Sequence, residues 1–82
     1  MQELINLEQQ VMALANELVS LSSDDNIFTL DDGCFKALYV GRGTEQIQLT
    51  LSSKYALSNR IFYAKGNIQR LEALKRDCLE GV

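Results

Sequence analysis

From Gln2 to Leu21 the apolar residues Leu4, Leu7, Val11, Leu14, Leu18 and Leu21 recur at alternating spacings of three and four. That is a heptad seam, and it predicts an amphipathic helix over residues 2–22, widened on one side by Ile5, Met12 and Val19 where the helix meets more than one neighbour. The run Ser22-Ser23-Asp24-Asp25-Asn26 ends the pattern with side chains that compete for backbone hydrogen bonds. The period then changes from helical to alternating. Ile27-Phe28-Thr29-Leu30 is rich in β-branched and aromatic residues and runs into Asp31-Asp32-Gly33, a hairpin signal whose turn calls for a positive φ at glycine. Cys34 to Val40 reads as the returning strand, with Phe35, Ala37 and Tyr39 on one face and Lys36, Leu38 and Val40 on the other, both faces partly covered. Gly41-Arg42-Gly43-Thr44 supplies a second turn. Glu45 to Leu51 is the cleanest strand, with Ile47, Leu49 and Leu51 facing a core and Gln46, Gln48 and Thr50 facing water.

The heptad device returns near the C-terminus, where Ile61, Ala64, Ile68, Leu71 and Cys78 fall on one seam that Lys75 interrupts. The start of this helix has two readings. Either Ser52 or Ser53 caps it, or Tyr55-Ala56-Leu57 forms a fourth short strand and Ser58 is the cap, the later start being preferred. Gly66 is costly inside a helix, but the seam passes through it in phase, so one continuous helix is expected. The expectation is therefore an α+β fold in a single domain spanning 1–82. A helix at 2–22 leads into a three- or four-stranded antiparallel meander at 27–51, and a second helix runs from 53 or 58 to 80.

A chain of 82 residues buries a smaller fraction of its surface than a larger domain, so oligomerisation is the natural supplement to its stability. Cys34 and Cys78 lie far apart with no C-x-x-C spacing, which points to free thiols in a reducing cytoplasm rather than to a disulfide or zinc site. Met1-Gln2-Glu3 lacks the basic start of a secretion signal, and no apolar run approaches the roughly 20 residues of a membrane span. Charge is divided unevenly: residues 1–33 hold seven acidic groups and no Lys or Arg, whereas residues 34–82 hold eight basic groups against four acidic ones. Such halves favour laying the first helix against the last, within one chain or between chains.

Candidate chemistry is sparse. The chain has no histidine, which excludes Ser-His and Cys-His catalysis and histidine metal ligation. Asp24, Asp25, Asp31 and Asp32 flank the first strand, but a calcium loop counted from Asp24 would place Phe28 and Phe35 where ligands are required, so they read as turn formers. Gly41-Arg42-Gly43-Thr44 has the composition of a phosphate loop, yet a strand rather than a helix follows it, which favours a hairpin turn. Arg60, Lys65, Arg70, Lys75 and Arg76, with Phe62 and Tyr63 near them, read as a solvated helix face that pairs with the acidic helix rather than as a nucleic-acid surface. Cys78, on the seam, reads as a small core residue. No catalytic, cofactor or metal site is expected, and neither a small-molecule substrate nor a nucleic acid is expected as partner.

Leu30, Gly33, Phe35-Lys36-Ala37, Thr44, the Ile47/Leu49/Leu51 strand and Tyr55, followed by a heptad helix, together resemble the α-type subunit of prefoldin over Phe28 to Leu74. The resemblance implies strands from several subunits forming a β-barrel platform, with paired helices projecting to hold unfolded protein. The functional expectation is a non-enzymatic, cytoplasmic, homo-oligomeric protein-binding module, chaperone- or adaptor-like. Its core and oligomer contacts are Leu7, Val11, Leu14, Leu18, Ile47, Leu49, Leu51, Ile61, Ile68 and Leu71, so an Asp at Leu14 or Leu71 is expected to disrupt fold or assembly. The alternative is a small acidic inhibitor or decoy from a phage or other mobile element, presenting Glu8, Glu17, Asp24, Asp25, Asp31 and Asp32 to a basic surface of a nucleic-acid-handling protein.

Overall fold

The computed structural model describes residues 1–31, 33, 36–43 and 45–80. Helix α1 (Gln2–Ser20) is followed by strands β1 (Phe28–Asp31), β2 (Ala37–Val40) and β3 (Glu45–Gln48) and by helix α2 (Leu57–Glu80). The strands form one antiparallel sheet in the order β1-β2-β3, the α+β arrangement expected from the sequence. Phe28 lies opposite Val40, Leu30 opposite Leu38, and Leu38 opposite Ile47, so these side chains share one face. Phe28, Leu38 and Ile47 pack in a single cluster with Val11, Ala15 and Leu18 of α1 and Ala64, Leu71 and Cys78 of α2. Both helices therefore cover the same side of the sheet. On the other side Thr29, Asp31, Gln46 and Gln48 are exposed, Tyr39 is half-buried and Ala37 is buried.

The two helices run in the same direction. Glu3 pairs with Lys65 at 3.6 Å and Glu17 pairs with Lys75, so the order of contacts is the same along both. Three antiparallel strands cross the sheet an odd number of times, which carries the chain from the end of α1 back to its starting end before α2 begins. The acidic first helix does lie against the basic last one, and it does so within one chain. These pairs are exposed and each contributes only about 0–1 kcal/mol, so they guide the packing more than they hold it.

The turns follow the sequence reading where they are described, and one strand end departs from it. β1 and β2 pair antiparallel as the hairpin expected around Asp31-Asp32-Gly33, whose turn falls in part outside the described residues. The Gly33 N–H donates to Asp31 Oδ1 at 3.1 Å, a local side-chain acceptor of the kind that turns use. Asp32, Cys34 and Phe35 fall outside the described residues, and the described part of the returning strand begins at Ala37. The second turn is as expected a hairpin turn, with Gly41 at φ 74° and Gly43 at φ 80°. Strand β3 stops at Gln48 rather than Leu51, although the Leu49 N–H still donates to the Lys36 carbonyl at 3.0 Å, one pair past the strand ends.

The later of the two α2 starts holds to within one residue, though without Ser58 as its cap. Ser52 is used in a turn of its own, its Oγ accepting from the Lys54 N–H and its carbonyl from the Tyr55 N–H. The helix opens at Leu57, with the Arg60 N–H donating to the Ala56 carbonyl and Ser58 already inside the first turn. Residues 55–57 form no fourth strand. Gly66 leaves α2 unbroken, with open space where a Cβ would stand.

The edges of so short a sheet are clipped by side chains from outside it. On β1 the Ser22 hydroxyl accepts from the Phe28 N–H and donates to the Phe28 carbonyl, both at 2.9 Å. One hydroxyl thus satisfies the two outward-pointing backbone groups of a buried strand residue. Replacing Ser22 by alanine is expected to cost about 1–2 kcal/mol, read as a lowered urea midpoint. An unchanged midpoint would mean that water replaces the hydroxyl without penalty.

Candidate functional site: a groove between α1 and the end of the sheet

The residues expected to make oligomer contacts are largely used inside the chain. Val11, Leu18, Ile47, Leu49 and Leu71 are fully buried, and Leu7, Leu14 and Ile68 pack half-buried around them. Leu51 and Ile61 are half-buried. The buried stripe of α1 is Leu4, Val11, Ala15 and Leu18, rotated from the heptad seam because the sheet is a second partner besides α2. Leu7, Leu14 and Leu21 are left on one flank, and Ile5 and Met12 on the other.

That second flank forms one wall of an open groove of about 610 Å³. Ile5, Glu8, Met12 and Asn16, at helical spacing, line it from α1; opposite them stand Lys36, Thr50 and Leu51 from the strand ends and Arg60 from the first turn of α2. Ile5 is 42% exposed, and Met12 and Leu51 are half-buried, so an apolar strip runs between the walls. Glu8 and Arg60 are both half-buried, but neither they nor Lys36 makes an ion pair among the described residues. Arg60 Nε is buried and donates to no acceptor.

The position of the far wall is set by Asn67, the one polar residue buried among the described residues. Its Nδ2 donates to the carbonyls of Gln48 and Leu49, each at 3.0 Å, while the Tyr63 hydroxyl donates to the same Gln48 carbonyl at 2.8 Å. These bonds tie α2 to the end of β3 and so fix where the chain turns into Thr50 and Leu51. Asn67 stands out in no sequence pattern, and Arg60 only as one base of a solvated helix face. Both occupy the 3–4 stripe Arg60, Ala64, Asn67, Leu71, Cys78, which becomes visible once polar residues are admitted to it.

The acidic set does not form one surface. Glu17 is taken by Lys75, Glu8 lies in the groove, Asp24 and Asp25 are exposed in the loop after α1, and Asp31 sits at the far end of β1. Asp32 lies outside the described residues. Among the described residues no three Asp, Glu or Cys side chains converge as metal ligands would. The basic residues of α2 point around the helix, Arg60 into the groove and Lys65 and Lys75 toward α1. Phe62 lies on the side opposite the core and is 80% exposed. Cys78 is a free, buried thiol. No helix among the described residues is long and apolar enough to cross a membrane. No protein family, curated protein or solved structure matches the chain.

Proposed function

We propose that the chain is a non-enzymatic, oligomeric protein-binding module that holds apolar segments of other proteins in a chaperone- or adaptor-like manner. Phe62 carries this reading. An aromatic ring in the second turn of α2, 80% exposed and pointing away from the core, adds nothing to folding and keeps apolar surface in water. Buried aromatic anchors are what protein interfaces are built around. Leu79, 53% exposed near the end of the same helix, adds apolar surface outside the core.

The test is suppression of aggregation of a heat-denatured reporter protein, followed by turbidity. Wild type is expected to suppress it in proportion to its concentration, and Phe62→Ser to lose most of the effect while melting at the wild-type temperature. No suppression by either, or equal suppression by both, removes the reading.

A further inference from the structure

We propose that the groove between α1 and the strand ends is closed by a second copy of this chain, related by a two-fold axis, with Glu8 of each copy meeting Lys36 and Arg60 of the other. The inference rests on the oligomeric part of the functional reading and supplies its contact surface. The argument starts from charge. One wall of the groove carries an acid, Glu8, and the other carries two bases, Lys36 and Arg60, yet none of the three is paired within the chain among the described residues. Two of them are half-buried, where an unpaired charge is costly, and Arg60 Nε has neither an acceptor nor access to water.

A surface with opposite charges on its two walls is complementary to itself under a two-fold rotation, because the rotation brings each wall against the opposite wall of the partner. Every favourable contact then occurs twice. Between the charged walls, Ile5, Met12 and Leu51 of both copies meet as an apolar strip, the arrangement of an interface with a dry centre and a charged rim. The axis runs along the groove, so the two α1 helices lie parallel on opposite sides of it. A foreign peptide would have to carry an acid and a base at the same separation to match both walls, whereas a second copy carries them already.

The test uses charge reversal on the full chain, read by light scattering behind size exclusion over a concentration series. Wild type is expected to be a dimer or a multiple of one. Glu8→Lys and Lys36→Glu, each alone, place like charges opposite one another twice, and each is expected to weaken association about tenfold or more. Mixing the two variants in equal amounts sets opposite charges together again at both contacts of a mixed pair. The introduced lysine of one copy then meets the introduced glutamate of the other, and the unaltered Lys36 of the first meets the unaltered Glu8 of the second. The mixture is expected to regain the wild-type mass. Both variants should keep the wild-type helical signal, since the altered groups lie on an open groove. Assembly that survives both reversals, or that both reversals abolish and mixing fails to restore, overturns the proposal while leaving wild-type oligomerisation and the Phe62 assay standing. A wild-type monomer at every soluble concentration overturns it together with the oligomeric part of the functional reading.

Discussion

Replacing Leu71 by alanine is expected to lower stability by about 2–5 kcal/mol, the range for truncating a fully buried leucine that leaves a cavity behind. Leu71 has no exposure and sits in the cluster where α1, α2 and the sheet meet, so no single neighbour can move in to fill the space. A domain of this length has roughly 4–12 kcal/mol in total at about 0.05–0.15 kcal/mol per residue, so the loss is a large share of it. Urea unfolding followed by helical circular dichroism gives the measurement. Leu57→Ala is the control: the same truncation on the same helix, at a residue 40% exposed, should shift stability by about 0.5 kcal/mol or less. Equal shifts for the two would show that Leu71 is not central to the core.

Aspartate at the same position goes further, since it places an unpaired charge where water cannot follow, and no folded Leu71→Asp protein is expected. Leu14→Asp is a different case. In the heptad pattern Leu14 and Leu71 are equivalent, but Leu14 is half-buried and borders a second open groove beside Lys75 and Arg76. A carboxylate there has solvent and two cations within reach of its surroundings, so the folded state should survive.

That contrast marks how far periodicity can be read. Spacings of three and four locate a helix and the side it buries, and alternation locates strands, because both follow from backbone geometry alone. Element order, the faces of β2 and β3, the Gly41/Gly43 turn and the burial of Cys78 were legible on that basis. The rotation of the α1 stripe toward Ala15 was not, because a coiled-coil seam assumes one helical partner and here the sheet is another. The hairpin signal at Asp31-Asp32-Gly33 was legible too, since β1 and β2 pair antiparallel on either side of it. The parallel run of the helices was not settled, since the strand count stood at three or four and only an odd number returns the chain to the end where it began. The groove was not available at all. Its walls come from α1, Lys36, Thr50-Leu51 and Arg60, pieces that only the folded chain brings together.

Asn67 joins the two kinds of information, since a residue that no sequence pattern singles out is the donor that orders the groove wall. Asn67→Asp, nearly identical in shape, is expected to cost about 3 kcal/mol or more near neutral pH. The change removes both hydrogen bonds to the Gln48 and Leu49 carbonyls and sets a carboxylate against two carbonyl oxygens in a buried site. Burial and the facing oxygens disfavour the charged form, so the carboxyl holds its proton more tightly in the folded chain than in the unfolded one. Its penalty is therefore smallest in acid, where the protonated carboxyl again has a donor, and grows as the pH rises from the unfolded-state pKa toward the folded-state one. Urea titrations of Asn67→Asp and wild type in mildly acidic and in neutral buffer measure that difference. Asn67→Ala, which leaves the Leu49 carbonyl without this donor but adds no charge, should lose about 1–3 kcal/mol with no such pH dependence. If Asn67→Asp matched wild type at neutral pH, the bonds to β3 could not be what holds Thr50 and Leu51 in place. If instead it unfolds as expected, Asn67→Ala, still folded, becomes the variant with which to ask whether loosening that wall weakens association.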